Sequence, residues 1–294
     1  MNKISKAKLS VTAAMFTYGT IGIFVRYIPL PSAVTAMSRG MIGAPFLLLV
    51  LLLKRQKLNK EIILKNLPAL FVLGTMLGVN WILLFEAYRF TTVATATLCY
   101  YFAPIILVAA SPFVFKEKMT AKKLLCILAA LIGMYFVSGV AENGIPTIAE
   151  LKGVLLALGA AVLYASIVML NKKVTGIPPY DKTIMQLAIS AAVLIPYNAL
   201  SGNFANLSFS PFIIFMLIFV GIVHTGIAYY LYFGSMEDLH SQTLAILSYI
   251  DPVVAVLLSA LILKESMSPL HVLGAVLILG AALVSEMPEK TAKK

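Results

Sequence analysis

Apolar residues in this chain run in long blocks rather than alternating. Each block is close to the roughly 20 residues that a helix needs to cross the hydrocarbon of a bilayer. Ten are predicted, over residues 9–28, 32–53, 67–88, 92–115, 121–140, 151–171, 181–201, 211–235, 240–263 and 269–286. Polar and charged residues gather between the blocks, in stretches too short for a soluble domain. The expected fold class is all-α and integral to the membrane, with ten transmembrane helices. Lys3, Lys6 and Lys8 ahead of the first block give it the outline of a signal peptide. No small-x-small cleavage site follows it, and a similar stretch returns at Leu155–Lys172, so it is read as a helix.

One segment occurs twice, at an offset of 148 residues. Thr91 to Thr120 reads TTVATATLCYYFAPIILVAASPFVFKEKMT, and Leu239 to Ser268 reads LHSQTLAILSYIDPVVAVLLSALILKESMS. Eight of the thirty aligned positions are identical, among them Pro104/Pro252 and a polar K-E-x-M-[ST] exit. Shared apolar composition does not produce such matches at one offset, so a half-chain unit is duplicated. Tyr101, Pro104, Val108 and Ser111 are spaced to share one helical face, and Tyr249, Pro252, Val256 and Ser259 repeat it. Both copies of that face are expected to look at each other or at a shared cavity.

Composition agrees with the membrane reading: 61% of the 294 residues are hydrophobic and 12% charged, against about 25% charged in a soluble domain. Cys99 and Cys126 fall inside apolar runs and suggest neither a disulfide nor a metal framework. The formal charge of +11 would suit a nucleic-acid partner, but its distribution fits topology instead. With the N-terminus inside, 18 of the 23 Lys and Arg residues are cytoplasmic. Only Arg26, Arg89, Lys152 and Lys264 are outside, and Arg39 lies within a block. This asymmetry implies cytoplasmic N- and C-termini and an even number of spans. Five spans per copy force the second copy to insert upside down. The expected organisation is two inverted five-helix repeats, residues 1–141 and 153–294, joined by the connector 142–152, ENGIPTIAELK. Inverted repeats are a transporter architecture, with the substrate held near mid-membrane where the repeats meet. Ala36, Gly40 and Ala44, and likewise Ala129 and Gly133, are read as close-packing positions between helices.

Few ionisable groups lie inside the blocks. Asp251, midway along the ninth and just before Pro252, is a candidate for proton coupling or cation binding; the plainer role is a bond to nearby hydroxyls or freed backbone. Its repeat mate is Ala103, so the charge belongs to one half only. Glu86 is a second proton-coupling candidate, or else one half of a surface pair with Arg89. His224 is a third, or else a satisfied core histidine. Arg39, about 10 Å in from the end of its block, wants Glu86 or a substrate carboxylate, or else snorkels to the headgroups. Trp81, Tyr100, Tyr101, Tyr229 and Tyr249 are expected to wall a cavity, with Tyr18 and Tyr164 at matched places. Such a wall suits an apolar or aromatic solute, or an organic cation. Ordinary bundle core is the alternative. Pro104 and Pro252 are candidate hinges, since each removes a backbone donor.

These features resemble the drug/metabolite transporter superfamily, and within it the EamA family. The likeness spans the chain. Its most specific part is P-x6-S-x4-K-E, from Pro104 to Glu117 and again from Pro252 to Glu265. The stretches NWILLFEAYRFTTVATATLCYY and HTGIAYYLYFGSMEDLHSQTLAILSYIDP are similar to a bacterial subgroup. The resemblance implies a ten-helix secondary carrier whose fourth and ninth helices flank a central cavity, with the fifth and tenth set further out. It also implies export of amino acids or other small organic solutes across the bacterial inner membrane. Asp251, Glu86 and Arg39 belong to no shared motif of the family, so their roles rest on the membrane argument.

The expected function is a secondary active transporter of small organic metabolites such as amino acids or related amines, working by alternating access as a monomer or homodimer in the lipid bilayer. A flippase of lipids or lipid-linked sugars is the rival, though it would need a basic headgroup pocket and Arg39 is the only mid-span cation. No phosphate-binding G-x-x-x-x-G-K-[ST] loop is present, which argues against a self-contained ATP-driven pump. Three scattered histidines do not supply a metal enzyme's ligands, so neither cofactor nor metal is expected. The topology is checked by labelling Lys116→Cys and Lys264→Cys in a background carrying Cys99→Ala and Cys126→Ala. The two thiols should react from opposite faces of the membrane; reaction of both from one face removes the inverted arrangement.

Overall fold

The computed structural model describes residues 3–287 apart from 115, 117–118, 138–139, 144–146, 206, 237, 240–242 and 244–246. Glu117, Lys118, part of the connector, much of the start of the ninth block, and Lys290, Lys293 and Lys294 lie outside the described residues. The helices in the first half of the chain are α1 (Lys3–Arg26), α2 (Ser32–Leu53), α3 (Lys60–Lys65), α4 (Leu67–Phe90), α5 (Val93–Tyr100), α6 (Ala103–Val114), α7 (Ala121–Val137) and α8 (Val140–Asn143). The second half supplies α9 (Ile148–Lys173), α10 (Pro179–Leu200), α11 (Pro211–Phe219), a π-helical segment (Val220–Ile227), α12 (Ala228–Met236), α13 (Ile250–Leu261) and α14 (Pro269–Glu286). No strand occurs among the described residues. Seven helices, with α5 and α6 taken as one and α11 to α12 as another, are long and apolar enough to cross a membrane. Shorter apolar helices, α13 and α14, follow. The predicted fourth block is not one continuous helix, because it breaks at Tyr101 and Phe102.

Local chemistry sets the ends. Ser210 and Ser268 each accept a backbone N–H at N3 (3.3 and 3.1 Å), and a proline stands at N1, where its missing donor costs nothing. Thr147 and Glu150 form a reciprocal capping box that starts α9. The described ends of the repeated K-E-x-M-[ST] exit, its lysine and its hydroxyl, act alike in both halves. Lys116 and Lys264 both take the left-handed backbone, φ 57° and 53°, which stops the preceding helix. Thr120 and Ser268 then cap the next one, Thr120 accepting from the Lys123 N–H at 3.3 Å. In the second copy the glutamate, Glu265, reaches α5 of the first half. The Glu265 carboxylate accepts the N–H groups of Val93 (2.9 Å) and Ala94 (3.4 Å) at the start of α5. It also accepts the Ser259 hydroxyl and faces Arg26 at 3.5 Å. A carboxylate at a helix N-terminus meets both the free donors and the positive end of the dipole.

Helix contacts come in exchanged pairs. The third helix of the first half, α4, packs on the first helix of the second, α9; conversely α1 packs on the π segment and α12. Contact of α4 with α10 is mirrored by α2 with the π segment, and contact of α1 with α13 by α5 and α6 with α9. Three pairs are their own mates: α2 with α10, α5 with α13, and α7 with α14. Helices α7 and α14 pack mainly on each other and on α5 and α6, away from the main body. Small residues allow these approaches. A Cβ on Gly40 would lie 2.7 Å from the Leu187 carbonyl oxygen, and one on Gly133 would lie 2.8 Å from that of Gly274.

Two stability tests follow from this geometry. Gly40→Val should cost about 1–3 kcal/mol and lower the melting temperature in detergent by several degrees, because rigid backbone obstructs the added carbons. Glu265→Ala should cost a similar 1–3 kcal/mol by leaving buried donors unmet, whereas Arg26→Ala, on the exposed side of a long pair, should cost under about 1 kcal/mol. Equal melting losses for the two would mean that the ion pair, not the helix cap, carries the contact.

Candidate functional site

The break in the fourth block places the chemistry. Proline cannot donate to the carbonyl four residues back, and its ring clashes there, so helix cannot run through Tyr100 and Pro104 unperturbed. Helix α5 therefore ends at Tyr100 with Tyr101 in a turn (φ −72°, ψ 6°). In the second half the matched Tyr249 (φ −75°, ψ −6°) caps α13, three residues ahead of Pro252. The discontinuities thus sit at the repeated tyrosines rather than at the prolines themselves. Tyr101 donates its hydroxyl to Asp251 Oδ2 at 2.5 Å, which ties the first half to the second. Asp251 lies in the first turn of α13, so the positive end of that half-helix faces the carboxylate. Gly19 lets α1 press against the Asp251 carbonyl, where a Cβ would lie 2.5 Å away.

Tyrosines surround this bond. The Tyr101 ring meets that of Tyr100 edge-on at 6.0 Å, and Tyr100 meets Tyr164 of α9 at 5.4 Å. Across the site Tyr18 of α1 and Tyr229 of α12 meet edge-on at 5.6 Å. Tyr164 itself is 41% exposed. Tyr100 is oriented by a residue that the sequence reading passed over. Buried Asn80 donates to the Ala160 carbonyl at 2.6 Å and accepts the Tyr100 hydroxyl at 3.5 Å. Its only signal in the sequence is an amide inside an apolar run.

Arg39 is 4% exposed, so it does not snorkel. Its Nε–H donates to Thr225 Oγ1 at 3.0 Å, and its guanidinium lies over the Trp81 ring at 4.0 Å and near Phe85 at 5.4 Å. The expected ion pair with Glu86 is not formed. Glu86 instead accepts from Ser32 at 2.6 Å and faces Arg89 at 3.4 Å, near the end of its helix. Among the described residues Arg39 has no carboxylate within 4 Å. An arginine at a membrane helix centre costs about 2.5–3.5 kcal/mol on insertion scales. A desolvated cation–π contact returns about 2 kcal/mol and one hydrogen bond about 1 kcal/mol. Charge is thus roughly offset while the other guanidinium donors stay open.

The remaining candidates sit apart from the tyrosine cluster. His224, 1% exposed, bonds Thr20 Oγ1 at 2.8 Å and lies between the rings of Phe24 (5.0 Å) and Phe219 (5.7 Å). Trp81 is a buried floor beneath Arg39 rather than an open wall. Tyr249 reaches Tyr101 at 6.5 Å and packs toward Cys126 and Ala282 on the α7–α14 side. Tyr230 stacks on Tyr180 and faces Lys54, outside the cluster. Among the described residues no group of three His, Cys, Asp or Glu side chains could hold a metal ion.

Comparison with known proteins gives this geometry its context. The model of the EamA-like transporter family matches residues 5–139 and again residues 151–287. Uncharacterized transporter YxxF of Bacillus subtilis is 31% identical over 260 residues, which cover 86% of this chain and 81% of that protein. Uncharacterized inner membrane transporter YicL of Salmonella typhimurium is 24% identical over 302 residues, 99% of this chain and 98% of that one. A solved crystal structure shares the fold, with a TM-score of 0.68 and 21% identity over 96% of both chains. A family unit matched twice over nearly the whole length, on a bundle of membrane-length helices, leads to one conclusion: the chain is a multi-pass membrane protein of the EamA-like transporter family, and so a transporter rather than an enzyme.

Proposed function

We propose that this protein is a secondary carrier that exports small organic metabolites, such as amino acids or related amines, by alternating access across a bacterial inner membrane. Both termini are cytoplasmic in this reading, and the two five-helix halves are inverted relative to each other. Its main support is the Tyr101–Asp251 hydrogen bond, which joins the halves where each has a break in its helix. Broken helices beside a mid-membrane site are where carriers hold solutes, since unwound backbone is tolerated only around such a cavity. The tyrosines supply ring faces and hydroxyls for an organic solute, and the halves rock about the breaks ahead of Pro104 and Pro252.

Asp251 is the coupling residue of this reading. Ionised, it needs the Tyr101 proton and the α13 dipole; protonated, it needs neither, and the tie between the halves loosens. A proton entering from outside therefore favours one orientation of the halves, and its departure the other. Glu86 and His224 are less suited, because each is engaged in local bonds away from the tyrosines. The test is flux in proteoliposomes, with and without a pH gradient, over a panel of labelled amino acids and amines. Asp251→Asn should reduce gradient-driven flux to the level of empty liposomes while leaving solute exchange in place. Full flux with unchanged pH dependence in that variant would remove Asp251 from coupling, and no flux of any solute in the unaltered protein would count against the carrier.

A further inference from the structure

The tyrosine site has a second pole. We propose that Arg39 is its anion-recognition residue and takes a planar carboxylate end-on, so that the transported solute carries an acid group. This rests on the carrier reading for the site's purpose, and on its own observations for the chemistry.

Of the five N–H donors of a guanidinium, Nε–H is committed to Thr225. Thr225 can only accept there, because its own proton points back to the Val220 carbonyl at 3.5 Å, five residues earlier. That i−5 partner exists because the segment Val220–Ile227 is π-helical. Gly43 of α2 then admits the Thr225 methyl, which would lie 2.5 Å from a Cβ at that position. The guanidinium carbon further lies 4.0 Å from the centre of the Trp81 ring. With the Nε edge taken by Thr225 and the indole close by, what remains is the Nη1/Nη2 fork. Its parallel donors match the two oxygens of a carboxylate. Among the described residues no acid occupies that fork: Glu86 is held by Ser32 and Arg89, and Asp251 by Tyr101. Arg39 is a cation buried to 4% exposure, and among the described residues its Nη nitrogens have no hydrogen-bond partner or ion pair.

Trp81 is the only tryptophan in the chain, so its emission reports on this contact. The experiment titrates the purified full-length protein with acids and their primary amides: phenylalanine with phenylalaninamide, leucine with leucinamide, and 3-phenylpropionate with its amide. At least one acid should change the Trp81 emission saturably and bind about tenfold or more tightly than its amide, as expected for charge-assisted bidentate bonding. Arg39→Gln should bring that ratio close to one, and Arg39→Lys should keep part of it as a point charge without a fork. Thr225→Val should lower the ratio several-fold with little change in melting temperature, the mark of a positioning residue. Should Arg39→Gln not fold, the lysine and valine variants carry the test. Amides binding as well as acids, a preference that survives these substitutions, or no saturable response to any acid would each overturn the proposal. Flux of amines without acid preference would leave the carrier standing and remove this role; acid binding without flux would do the reverse.

Discussion

A polar group inside a bilayer must find its partner within the protein, because lipid tails offer neither donor nor acceptor. The structure meets this demand mostly across helices. Asp251 takes the Tyr101 hydroxyl, Arg39 takes Thr225 and the Trp81 face, and Asn80 joins the Ala160 carbonyl to Tyr100. Each bond joins different helices, so satisfying polar groups and holding the bundle together are the same act.

The duplicated motif shows how one short sequence serves both local and global order. In K-E-x-M-[ST] the lysine adopts a left-handed backbone that stops a helix, and the hydroxyl starts the next. In the second copy the glutamate fastens that loop to the N-terminus of α5 in the other half. A cap supplied from another part of the chain makes the start of α5 depend on tertiary packing. Small residues do the complementary work, allowing α2 to touch α10 and α7 to touch α14 at backbone distance.

Duplication built the scaffold, and divergence placed the chemistry. The helix breaks, the tyrosines at them and the exit motif occur in both halves, whereas Asp251 faces Ala103 in the repeat alignment and has no double. Arg39 belongs to the first half alone. These two ionisable groups thus come from different halves, Arg39 from the first and Asp251 from the second.

Much of this was legible in the residues. Apolar block length set the helical membrane class, because a span must reach across a fixed thickness, and nearly every predicted limit falls within a few residues of a helix end. The repeated proline marked the break, since the loss of a donor is a local property; even so, the break lies at Tyr101, where the clash is relieved. Partnership was not legible. Glu86 and Arg39 look equally suited to each other in sequence, but helix rotation turns one toward Ser32 and the other toward Thr225. Likewise the reach of Glu265 to α5, spanning 172 residues, depends on which helices become neighbours. The period and length of apolar runs are fixed by the backbone and the bilayer, so the chain alone determined its elements; which side chains meet inside is fixed by the azimuth and crossing of packed helices, and only the tertiary structure decided that.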